Sequence, residues 1–398
     1  MNKNRYISSP GITKYAWVIL IVVYFAGVVA PFNQFKVPPI MPLLMIGFHL
    51  DLTQAGLLMS IMAAIGLLLA IPASLILQRF GPKNTILVAL GFLACGAPLG
   101  ALAGDYGVLL GSRILEGIGL GLIGVAAPAT ISMWFPPEKR GTPMGIWATW
   151  VPVGTVAVFN LAPALAASLG WQAVWWVGAS YALLMMVLVG LLISKPPVLE
   201  EQKTQNQPSI NLWEAFSNRN IWLLAIAFTC MNVVMVSINT YYPTFLKEQR
   251  GYTLGQAASI ASIMTFLKLV SSPSAGWLSD RLGSRRVLFS IPFLIIAFLL
   301  LFPFEVSGWG IVAVMSVLGL FMGVIPAATF AAAPDIMGNP QLAGLGMAVV
   351  LVGQNVGQLV GPILFGQLVQ SVGWSLAGYL IIPICILGFV SGWMVKIR

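Results

Sequence analysis

The chain has 398 residues, of which 59% are hydrophobic and only 8% charged, and its mean hydropathy is +0.93. Soluble domains carry about 25% charged residues, so this composition excludes a soluble enzyme or a nucleic-acid-binding domain and describes a chain that crosses a bilayer many times. The net charge of +9 is therefore read by where the cations fall along the chain rather than as a sign of an acidic partner.

The first stretch, Met1 to Lys14, is short and polar, and the apolar run after it is too long for a cleaved signal peptide. It reads as the first of twelve membrane spans, each needing about 20 residues at ~1.5 Å rise per residue. The spans are placed at 15–47, 53–77, 84–104, 107–133, 142–168, 172–194, 220–246, 254–279, 286–304, 309–333, 341–369 and 374–395. One long hydrophilic segment, Lys195 to Arg219, interrupts them. It reads as a linker between an N-terminal six-helix half (1–194) and a C-terminal six-helix half (220–398). Lys36, Arg113 and Lys268 lie within spans, and Lys247 and Arg250 lie in loops on one side. All the other Lys and Arg, of 20 in total, lie on the opposite side. That asymmetry predicts a cell-membrane protein with both termini cytoplasmic.

The halves repeat. A displacement of 202 residues lays Gln78-Arg79-Phe80-Gly81-Pro82-Lys83 over Asp280-Arg281-Leu282-Gly283-Ser284-Arg285, Gln54 over Gln256 and Ser60 over Ser262. Gly170-Trp171 recurs as Gly373-Trp374. A parallel repeat of six spans implies a pseudo-two-fold axis along the membrane normal, with a solute site between the halves.

The loop after the eighth span carries Gly276, Asp280, Arg281, Gly283, Arg285 and Arg286. The corresponding loop of the first half keeps Arg79, Gly81 and Lys83 but has Ser74 and Gln78 where glycine and aspartate would stand. Arg113 opens the fourth span ahead of the small-residue run Gly117, Gly119 and Gly121. With these motifs the whole chain resembles the major facilitator superfamily. The resemblance implies an all-α membrane fold of two pseudo-symmetric halves. It also implies transport by alternating access, with spans 1, 4, 7 and 10 lining the path and spans 2, 5, 8 and 11 helping. Read physically, Asp280 at a helix end can pair with arginines of its own turn or of a neighbouring helix, while Gly283 permits the reversal. Asp280, Arg281, Gly283 and Arg285, with Arg79 in the first half, are thus expected to form a cytoplasmic latch that holds one conformer.

The ionisable groups expected inside spans are Lys36, Arg113, Glu116 and Lys268. Arg113 and Glu116 are three residues apart on one helix and can neutralise each other, as a structural or coupling pair. Lys36 and Lys268 then have no evident acid, and an uncompensated cation at mid-membrane depth costs at least ~2.5–3.5 kcal/mol. The simplest partner for them is an anionic solute. Thr265, Ser271 and Ser272 share a stripe with Lys268. Asn33 precedes Lys36 by one turn; Asn232, Asn239 and Tyr242 mark the seventh span; Gln354, Asn355 and Gln358 crowd the eleventh; Trp147 and Trp150 offer apolar walls in the fifth.

No P-loop, nucleophile elbow, paired-cysteine motif or His-Glu cluster is present, so neither ATP-driven transport nor catalysis is expected. Cys95, Cys230 and Cys385 read as buried thiols, and the single His49 cannot hold a metal alone. The sequence thus predicts a monomeric, cofactor-free secondary carrier for a small, monocarboxylate-like organic anion. The anion would bind at Lys268 and Lys36 and be oriented by Asn33, Asn239, Tyr242, Gln354, Asn355 and Gln358, with proton coupling through Glu116 or plain exchange. Three other readings stay open. An inorganic-anion porter (nitrate, nitrite or cyanate) is suggested by the Gly353-to-Gly361 run, although Gly66 stands where a second cation would be expected. Proton-driven drug efflux and a transporter-like sensor are the other two.

Overall fold

A computed structural model of the protein describes residues 14–70, 72–136, 139–194, 217–282, 285–338 and 342–396, without the side chains of 275–282, 285 and 343. Among these residues eleven helices are long and apolar enough to cross a membrane: Lys14–Phe48, Leu52–Leu69, Pro72–Ala101, Tyr106–Trp134, Gly141–Leu169, Gln172–Leu192, Arg219–Arg250, Leu254–Ser274, Trp309–Met337, Gly344–Val372 and Trp374–Met394. The shorter apolar helix Arg286–Leu299 completes twelve, in ninth place.

Capping explains the repeat. Asp51 and Gln54 open the second span with a capping box: the Gln54 amide donates to Asp51 Oδ1 at 2.7 Å and the Asp51 amide to Gln54 Oε1 at 3.0 Å. Thr253 and Gln256 repeat the device at the eighth span, at 3.1 and 3.3 Å. Gly170 and Gly373 end the fifth and eleventh spans at φ of +84° and +81°, a backbone region in which a side chain would be strained. Gly81, the counterpart of Gly283, takes φ +73° and reverses the chain between the second and third spans.

Proline breaks two of the expected spans, and the ninth ends at Leu299, short of the expected 304. The second span breaks after Leu69, and Pro72 starts a further helical segment that runs to the reversal at Gly81, beyond which the third span begins. A proline inside a helix removes a ladder hydrogen bond and clashes with the preceding turn. Pro38, Pro39 and Pro42 likewise divide the first span into Lys14–Gln34, a 3-10 turn at Pro38–Ile40, and Met41–Phe48.

The helices sort into two groups of six. In the first group the fourth span packs on the first, second and third, and the sixth on the first and third. In the second group the seventh packs on the eleventh and twelfth, and the tenth on the eighth and ninth. Two pairings carry the contact between halves, second with eleventh and fifth with eighth. The joining hydrogen bonds sit toward the end away from the termini. The Tyr241 hydroxyl lies 2.7 Å from Leu52 O in one half and 2.8 Å from Pro362 O in the other. Asn160 meets Ser259 at 2.8 Å and Ser262 at 3.3 Å.

Gly56 and Gly366 make this closure possible. A Cβ at Gly56 would fall 2.7 Å from the Pro362 carbonyl, and one at Gly366 would fall 2.9 Å from that of Leu52. Backbone cannot yield as a side chain can, so Gly56→Leu is expected to part the halves here. In a background without the native cysteines, spin labels at the exposed positions Ile46 and Leu376 should then report a longer distance. An unchanged distance would contradict this account of the seam.

Candidate functional site

The fully buried charged groups of the first half, Lys36, Arg113 and Glu116, condense into one sealed cluster. Arg113, on the fourth span, donates Nε to Leu58 O (3.1 Å), Nη1 to Asn33 O (2.7 Å) and Nη2 to Gln34 O (2.6 Å). Its Nη1 also reaches Glu116 Oε2 at 2.6 Å, closing the i, i+3 pair. The guanidinium thereby ties the first, second and fourth spans together, answering carbonyls freed where the first helix ends.

Lys36 joins the same carboxylate, and this corrects the expectation that it has no acid. Its Nζ lies 2.5 Å from Glu116 Oε1 and 3.0 Å from Asn33 Oδ1, and it sits 4.5 Å from the centre of the Trp175 ring. An ammonium has three donors, and two oxygens and an aromatic face use them all. Lys36, Arg113 and Glu116 are each 0% exposed. Asn33 is also committed, since its amide donates to Val29 O at 3.0 Å. Lys36 and Asn33 therefore hold the ion cluster rather than present free donors to a solute.

Lys268 is the contrast. Its Nζ has one polar contact among the described residues, the Met235 thioether at 3.1 Å. Sulfur of this kind is a weak acceptor, so among the described residues no strong protein acceptor meets the half-buried ammonium. The group lies about 21 Å along the eighth helix from Leu254, taking ~1.5 Å per residue, near the midpoint of Leu254–Leu282. Ser271 and Ser272 do not turn toward it. Both hydroxyls donate to the Lys268 carbonyl, at 3.3 and 2.8 Å, and Ser272 also reaches Gly323 O at 3.0 Å, so they serve to pack the eighth span on the tenth.

The remaining polar residues divide by location. Asn239 hydrogen-bonds Thr265 at 3.3 Å, one turn from Lys268, and so belongs to the same seam between the seventh and eighth spans. Tyr242 does not: its hydroxyl donates to Pro303 O at 2.9 Å and its ring packs with Phe245 and Phe304, fully buried. Asn232 bonds its own helix at Phe228 O (2.8 Å). The eleventh-span group faces the other half. Gln358 accepts from Gln34 at 3.2 Å, and Asn355 Oδ1 stands 3.1 Å from where a Gly66 Cβ would be, with Gln354 half-buried beside them. Trp147 and Trp150 stack at 4.7 Å, and Trp147 presses on Gly27, so they fasten the fifth span to the first.

Of the expected latch, Gly283 and the side chains of Asp280, Arg281 and Arg285 lie outside the described residues. Arg79 is exposed, with its guanidinium 5.5 Å from the centre of the Phe80 ring. Cys95 is exposed where a buried thiol was expected, while Cys230 and Cys385 are buried. An apolar run does not reveal which face of a helix meets lipid. Sequence reasoning also missed Tyr241, Gly56 and Gly366, since each acts only through a partner helix.

The family model described as "Major Facilitator Superfamily" matches residues 23–267 and 253–398. Among curated relatives, the chain is 21% identical to the hexuronate transporter of Bacillus subtilis (strain 168), covering 91% of this chain and 90% of that one. It is 23% identical to the probable sulfoacetate transporter SauU of Cupriavidus necator, covering 89% and 87%. Among solved structures, a bacterial homolog of the human lysosomal transporter Spinster, in an inward-facing and unoccupied conformation, matches with a TM-score of 0.88 at 16% identity, over 97% of this chain and 98% of that one.

Proposed function

The chain belongs to the Major Facilitator Superfamily, a family of membrane transporters, and from that membership we propose that it is a secondary carrier of a small organic anion. The observation that carries this reading is the charge balance inside the bilayer. Three buried groups of the first half satisfy one another, and Lys268 alone among these cations faces a neutral partner, Met235. A cation left this way destabilises the protein unless an anion visits it. A carboxylate or sulfonate would supply the acceptor oxygens that a thioether cannot. The relatives named for hexuronate and sulfoacetate, both organic anions, agree with this class.

In this reading Lys268 binds the anionic group while Asn239, from the seventh span, and Gln354, Asn355 and Gln358, from the eleventh, orient the rest of the solute. The halves 1–194 and 220–398 rock about the seams of the second with the eleventh and the fifth with the eighth span. Both termini lie in the cytoplasm, and the arginine-rich loops around Arg79 and Asp280 act as the latch on that face. Cationic drug efflux is disfavoured because the one acid of the cluster, Glu116, already meets two cations. Proton coupling would act through the same carboxylate: protonating it strands Lys36 and Arg113 side by side, which pushes the first half toward a different packing.

Purified protein in vesicles tests this. Uptake of labelled small carboxylates or sulfonates should exceed that of neutral analogues of the same size and should rise with an imposed pH gradient. Equal uptake of the neutral analogues would overturn the anion reading. Accumulation that ignores the gradient would remove the coupling role of Glu116.

A further inference from the structure

At the end of the bundle that carries both termini, a cavity of about 420 Å³ opens between the seventh, ninth and twelfth spans. Among the described residues it is lined by Arg219, Asn220, Leu223, Arg286, Trp393, Met394 and Lys396, three cations and no acid. The Arg286 guanidinium lies 4.4 Å from the centre of the Trp393 ring, and its Nε is buried with no hydrogen-bond partner among the described residues. The Lys396 amide donates to Asn220 Oδ1 at 3.0 Å, which fixes the end of the twelfth span against the start of the seventh.

Three like charges gathered around one cavity repel one another, and a buried, unanswered guanidinium N–H carries a desolvation cost. Both costs are offset if a phosphate oxygen occupies the space, since Arg binds phosphate through paired N–H donors. The rim points to the source of that phosphate. Trp393 and Met394 are 43% and 45% exposed, on the surface that meets lipid, and tryptophan favours the headgroup level. We propose that this cavity binds the phosphate headgroup of an anionic phospholipid from the leaflet on the termini side. Basic pockets between spans on that side suit such headgroups. The site is separate from Lys268 and does not depend on the identity of the solute.

The test uses full-length protein in detergent, delipidated and then offered phosphatidylglycerol, cardiolipin or phosphatidylcholine, with bound lipid read by native mass spectrometry. The wild type should retain the two anionic lipids in preference to phosphatidylcholine. Arg286→Gln and, separately, Lys396→Gln should lose that preference by about tenfold while keeping a monodisperse elution profile; Lys396 is exposed, so its variant guards against a folding defect. An undiminished preference in both variants overturns the site. Inorganic phosphate forms the second arm: if it stabilises the wild type through Arg286 while no anionic lipid is retained, the lipid assignment is wrong.

Discussion

Glu116→Ala is expected to abolish transport and to destabilise the protein by about 3–5 kcal/mol, the usual cost of breaking a buried ion pair by removing one partner. The size follows from the geometry. Among the described residues Glu116 is the only anion in contact with Lys36 and Arg113, at 2.5 and 2.6 Å, and all three are shut off from solvent. Its removal leaves two neighbouring cations with no counter-charge. Lys36→Met alone should cost less, because the Arg113–Glu116 pair it leaves behind is neutral. Lys36→Met combined with Glu116→Ala should be more stable than Glu116→Ala, since one stranded cation is gone. Chemical unfolding of the four proteins in detergent reads this cycle directly. Additive effects would show that Lys36 and Glu116 are not coupled, against the 2.5 Å contact.

The second large effect is expected at Lys268, with the opposite sign on stability. Lys268→Met removes an ammonium whose only polar neighbour among the described residues is Met235 Sδ at 3.1 Å. The empty protein should therefore be no less stable, and it stands to gain up to ~2.5–3.5 kcal/mol, the cost of an intramembrane lysine. Anion affinity should fall at the same time. A hydrogen bond to a charged group contributes ~1.5–3 kcal/mol, or roughly 10- to 150-fold in Kd. A residue that only holds helices together would lose stability when removed. Lys268 is expected to do the reverse, and that separates binding from scaffolding.

The sequence carried the architecture because its signals are local. Spans announce themselves by length and apolarity, and the paired caps at Asp51 with Gln54 and at Thr253 with Gln256 lie 202 residues apart in a legible repeat. The Arg113–Glu116 pair was readable for the same reason, being one turn of one helix. What could not be read is tertiary. Lys36 and Glu116 are 80 residues apart on different spans, and no periodicity brings them together. Counting charges span by span thus gives two unpaired cations, whereas among the described residues the fold leaves one. Tyr242 failed as a site residue on similar grounds, because only the packed structure turns its hydroxyl to Pro303 O. Asn239, by contrast, meets Thr265 one turn from Lys268.

The role of Lys268 is tested most directly by thermal shift of the wild type and Lys268→Met, each titrated with a set of small carboxylates and sulfonates and their neutral analogues. The account predicts that one anion raises the Tm of the wild type in a saturable way, that its neutral analogue does not, and that the variant begins at an equal or higher Tm and fails to respond. A variant that starts markedly lower, or that is stabilised by the same anion as strongly as the wild type, would contradict it.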